Sequence, residues 1–134
     1  MQFINLYIRI TLFVVYAYFG VWKIFGLSPA EALVTELYNK TLSSFLSIGS
    51  FLVILGIVEV LIGMGFLLIT GKFLKLVICI FSLHTVTTFA TLVLLPHTAF
   101  SPFPIPTLVG QYVIKNLALI GLVLVLHKTN TSLE

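Results

Sequence analysis

One carboxylate inside an apolar helix constrains this chain more than any other feature. Glu59 lies within GSFLVILGIVEVLIGMG, residues Gly49 to Gly65, and is the only charged residue between Lys40 and Lys72. A charge at bilayer depth costs at least ~3 kcal/mol on insertion scales, so an intramembrane ionisable residue needs a partner and marks a functional site by default. Gly49, Gly56 and Gly63 recur every seven residues, and Glu59 falls three after Gly56 and four before Gly63. The spacing puts carboxylate and glycines on one helical stripe, and glycine stripes mark close helix contact in membranes. Glu59 is expected to face neighbouring helices and not lipid.

A membrane setting follows from the rest of the chain. Of 134 residues 60% are hydrophobic and 8% charged, far from the composition of soluble domains. A span needs about 20 apolar residues, and four such runs occupy nearly the whole chain, at about 8–26, 47–69, 72–95 and 107–127. The expected fold is therefore all-α: a single integral membrane domain, a four-helix antiparallel transmembrane bundle. The first run lacks a small-x-small cleavage site and reads as a retained helix. Cys79 is the only cysteine, which excludes an intrachain disulfide and a CxxC redox pair. The net charge of +3 comes mostly from cations at span ends, with no basic patch that would read nucleic acid. Arg9, Lys72, Lys75 and Lys128 gather on one side against Lys23 and Lys40 on the other, which predicts cytoplasmic termini.

On the first span Arg9, Phe13, Tyr16, Gly20 and Lys23 form one stripe. Arg9 is expected to snorkel at its inner end, and Lys23 to anchor its outer end beside Trp22. Ser28, Pro29 and Glu31 fit the start of a capped helix, so Pro29 to Leu42 reads as a short interfacial helix in the first outer loop, lying on Ala32, Leu33, Leu37 and Leu42. Thr70-Gly71-Lys72 forces the second and third spans into a tight hairpin. The third span carries His84, Thr88 and Thr91 on one face, the threonines being readable as hydroxyls bonded back to their own helix. Pro96 to Thr107, PHTAFSPFPIPT, is a proline-stiffened outer loop that no helix can run through. The fourth span holds Gln111, Lys115 and Asn116, and Lys115 supplies a cation for Glu59.

Counting at 1.5 Å per residue from the outer end of each span places Tyr16, Glu59, His84 and Lys115 in one layer roughly 12 to 18 Å deep. The predicted arrangement is a Glu59–Lys115 ion pair with Tyr16 and His84 as hydrogen-bonding neighbours, Thr88, Gln111 and Asn116 nearby, and Lys23 as an outer-end candidate. The layer can be a register lock for four greasy helices, or a polar pocket for a small ligand or a proton.

Four segments, YFGVWKIFGLSPAEALV, LGIVEVLIGMGFLL, LHTVTTFATLVLLP and PTLVGQYVIKNLALIG, resemble in that order the DoxX-like family of small bacterial inner-membrane proteins, above all its reactive-chlorine-resistance branch. The resemblance covers about residues 7–126, and its motif positions match Lys23, Glu59 and Lys115. It implies a redox- or oxidative-stress-associated subunit in the inner membrane, with a redox-enzyme partner, and does not by itself imply an enzyme; a homo-oligomer is the arrangement that would let so few spans serve transport. Three functional readings stand. One is a subunit whose polar layer binds a quinone-like molecule, a quinone being the cofactor candidate in a chain without a haem, flavin or metal motif. The second is a ligand-free structural or partner-stabilising subunit, and the third a small proton-linked transporter.

Overall fold

The structure, a computed structural model, describes residues 2–41 and 47–131. It is the expected bundle of four long helices, each long and apolar enough to cross a membrane: α1 Gln2–Ile24, α3 Ile48–Leu68, α4 Leu74–Leu94 and α6 Leu108–Thr131, with shorter helices α2 Glu31–Thr41 and α5 Pro96–Ala99 between them. α1 packs on α3 and α6, and α4 on the same two, so the helices stand in the cyclic order α1, α3, α4, α6.

Local chemistry decides where each helix stops. α1 ends at Ile24, and two residues on Gly26, whose positive φ of 67° allows a left-handed turn, closes it, with Gly26 N–H donating to Lys23 O and Leu27 N–H to Trp22 O. Ser47 begins α3 as its N-cap, its hydroxyl accepting from Ser50 N–H at 3.3 Å. A 3₁₀ turn at Gly71–Phe73, with Gly71 at φ 61°, reverses the chain into α4.

The closest pairing is α1 with α3, and glycine makes it possible. A Cβ placed on Gly20 would lie 2.6 Å from Gly56 O, and one on Gly56 would lie 2.7 Å from Gly20 O, so the two backbones touch at this crossing. Gly63 lies close to Phe13 O and Ala17 N farther along the same seam. Gly49, the third glycine of the heptad stripe, faces open space. The remaining core is apolar, built on Leu12, Ile62, Phe66, Val77, Phe81 and Leu126.

At one end of the bundle α2 docks onto the span ends. Tyr38 is buried against Phe51 with ring centroids 5.2 Å apart, Lys40 Nζ donates to Leu94 O at 3.0 Å, and Thr98 Oγ1 donates to Glu36 Oε2 at 2.9 Å. Ser28 Oγ accepts from Ala30 N–H at 3.2 Å, while regular helix begins at Glu31. Leu42, counted in this helix from the sequence, lies outside the described residues. The proline-rich loop does open with a helical turn, α5, because Pro96 occupies its first position, where no N–H is needed. Beyond it the chain folds back on itself, with Ser101 N–H donating to Ile105 O and Thr107 N–H to Ala99 O.

At the other end Arg9 does not snorkel. It is buried, and its Nη1 donates to Phe66 O at 2.7 Å and Ile69 O at 2.8 Å, carbonyls at the end of α3 that lack helical donors. Asn5 Oδ1 accepts from Arg9 Nε at 2.7 Å, and Asn5 Nδ2 donates to Thr129 Oγ1 at 3.3 Å, which ties α6 to the same group. Arg9→Met should therefore lower unfolding free energy by about 1–3 kcal/mol, the range for buried polar groups left unsatisfied. Thermal unfolding in detergent, followed by the fluorescence of Trp22, measures the loss.

Candidate functional site: a buried polar cluster on three helices

Glu59 sits 5% exposed at the centre of α3, and its partner is Lys23 of α1. Lys23 Nζ lies 2.5 Å from Oε1 and 2.6 Å from Oε2, so one ammonium engages both carboxylate oxygens. His84 of α4 completes the group, its Nε2 standing 3.0 Å from Glu59 Oε1. Tyr16 packs edge-on against the His84 imidazole with centroids 5.6 Å apart, and lies beside the Thr85 hydroxyl. Three helices thus meet on one carboxylate.

The predicted Glu59–Lys115 pair does not form. Lys115 is exposed on α6, with Nζ 5.7 Å from the Tyr112 ring centroid, while the cation on Glu59 comes from Lys23, which was read as an outer-end anchor. The physical reason lies in side-chain direction. Side chains on a helix lean toward its N-terminus. α1 and α3 run antiparallel, so Lys23 leans from the end of α1 toward the bundle centre and Glu59 leans toward Lys23. Counting Cα depth alone places Lys23 about 4.5 Å from Gly26 and misses the additional reach of its four-carbon stem. The signal was already in the stripe that runs from Tyr16 through Gly20 to Lys23, because the Gly20–Gly56 contact turns that stripe onto α3.

The other predicted residues divide. Tyr16, Glu59 and His84 come together. Thr88 is half-buried and donates to its own helix at His84 O, 3.1 Å away, and Thr91 does the same to Thr88 O at 2.7 Å. Gln111 is exposed and Asn116 half-buried on α6, and neither is among Glu59's hydrogen-bonding partners, Lys23 and His84. Thr85, not singled out from the sequence, is buried beside the cluster.

The bonding fixes the tautomer of the imidazole. A carboxylate held by an ammonium only accepts hydrogen bonds, so Nε2 of His84 donates to it, an arrangement that in a neutral imidazole leaves the lone pair on Nδ1. That Nδ1 and Thr85 Oγ1 are buried without a hydrogen bond. No family model, curated protein or solved structure matches the chain.

Proposed function

We propose that this chain is a small subunit of the bacterial inner membrane, with both termini cytoplasmic, that stabilises a partner in a redox or oxidative-stress system. The redox setting rests on the resemblance to DoxX-like proteins at Lys23, Glu59 and Lys115, and the orientation on the distribution of lysine and arginine. One observation carries the ligand-free, structural side of this reading. Both oxygens of Glu59 are taken by groups of the chain itself, Lys23 and His84, so the carboxylate needs nothing from outside to be satisfied. A cluster closed in this way holds α1, α3 and α4 in register.

A second reading keeps a small ligand, and a specific observation favours it. The Thr85 hydroxyl, which would donate to a quinone carbonyl, and His84 Nδ1, whose lone pair would accept from the hydroxyl of the reduced quinol, are the polar atoms such a head would bond if the helices parted. The two readings separate in one preparation. Protein purified in mild detergent is expected to carry no extractable quinone, and added ubiquinone or menaquinone analogues should leave its melting temperature unchanged. Retained quinone, or a rise in melting temperature that His84→Ala abolishes, establishes the ligand site instead.

A further inference from the structure

We infer that the exposed face of α6 docks a transmembrane helix of another protein that carries a carboxylate at the depth of Lys115. This deepens the partner-stabilising role and rests on it. Lys115 lies seven residues into α6, about 10 Å along its axis from Leu108. It has no ion pair among the described residues, and its ammonium stands over Tyr112, one turn nearer the end that carries α2. Charged side chains within membrane spans face a bundle interior or a water-filled cavity and pair with an opposite charge or with backbone carbonyls. Here the bundle interior already has its cation in Lys23, so Lys115 is left for a surface outside the chain.

The rest of the face suits a helix. Gln111, Ile114, Lys115, Ala118 and Gly121 are all exposed and share one side of α6, and a Cβ on Gly121 would meet nothing within 4 Å. Small residues beneath a polar one let a second backbone approach closely, which lipid tails do not require. α6 also buries the smallest share of its most apolar stretch, 17% against 39% for α3.

A second copy of the chain cannot supply the carboxylate. The four glutamates are Glu31 and Glu36 on α2, Glu59 in its own cluster, and Glu134, which follows α6 in the sequence nineteen residues beyond Lys115 and lies outside the described residues. Charge complementarity therefore selects a different protein with an acidic residue in its span.

The test uses the full chain in phosphatidylcholine vesicles with fluorescent synthetic transmembrane helices of leucine and alanine. One carries a single glutamate seven residues from its end, a second has glutamine there, and a third has the glutamate at mid-span. Energy transfer should show the first binding about tenfold more tightly than the other two, in line with polar helix–helix bonds in model peptides. Lys115→Met should remove the preference, and Gly121→Leu, placed in open space and thus compatible with folding, should weaken binding of the first peptide. Equal binding of the three peptides overturns the inference. So does transfer between labelled copies of the protein that Lys115→Met abolishes, which assigns the face to a second copy. If phosphatidylglycerol in peptide-free vesicles shields Lys115 from an amine-reactive label as well as the peptide does, the occupant is a lipid phosphate and the inference falls. The quinone measurement decides the underlying role independently, because it reads the Glu59 cluster and not α6.

Discussion

Lys23→Met alone is expected to lower unfolding free energy by about 1–3 kcal/mol, and Glu59→Gln alone by a similar amount, with the double variant recovering much of the loss. The asymmetry comes from burial. Removing one member of a buried pair strands the other charge, at about 3–5 kcal/mol in soluble proteins, whereas removing both can be nearly neutral. Double-mutant couplings inside membranes are smaller, averaging about 0.6 kcal/mol with a maximum near 1.7, which scales the expectation down. Lys23 and Glu59 have side chains only 8% and 6% exposed, so bulk water cannot solvate the survivor. The control is Lys115→Met combined with Glu59→Gln. Those two changes should add within about 0.5 kcal/mol, as independent sites do. Coupling between Lys115 and Glu59, with none between Lys23 and Glu59, would refute the geometry. Stability that recovers in the double variant while oxidant resistance of the host cell does not would assign the pair a working role beyond holding helices.

Gly56→Leu should be at least as damaging. The Cβ alone would press on Gly20 O at 2.7 Å and on Ile24, with no room for the chain beyond it, so α1 must move away from α3. Overpacking a tight core costs about 1–3 kcal/mol and occasionally more. A second loss follows, because Glu59 is three residues from Gly56 and Lys23 three from Gly20, and parting the backbones stretches the ion pair as well. Gly49→Leu, on the same stripe but facing open space, should change stability by no more than about 0.5 kcal/mol, as surface substitutions do. Melting temperatures of the two variants in one detergent give the comparison, and equal losses would mean that the α1–α3 seam is not where the glycines act.

Much of this was legible in the sequence. Hydrophobic run length gave four spans, because a bilayer demands that length whatever the packing. The stripe containing Gly56, Glu59 and Gly63 faces neighbouring helices as read, with α1 the one its glycines touch, and three of the four residues assigned to the polar layer meet. Lys115 was misplaced for a reason that residue counting cannot repair. Depth along a helix is one coordinate, and the rotation of α6 about its own axis is another, which depends on contacts such as Gly110 against Ala99 O that no periodicity announces. Arg9 was misread in the same way. A snorkelling arginine and one that caps the end of α3 occupy the same sequence position, and only the location of Phe66 O and Ile69 O tells them apart.

The separation of Lys23 and Glu59 by 36 residues sets an order of events during synthesis. The ammonium leaves the ribosome first, one residue before the end of its helix, where it can stay hydrated among headgroups while α2 and the start of α3 are still being made. Glu59 arrives later, at the middle of its helix, where no side chain is long enough to reach water. Emerging second, it meets a cation already tethered to the membrane. The reverse order of the two helices would leave a carboxylate waiting in hydrocarbon for a partner not yet translated.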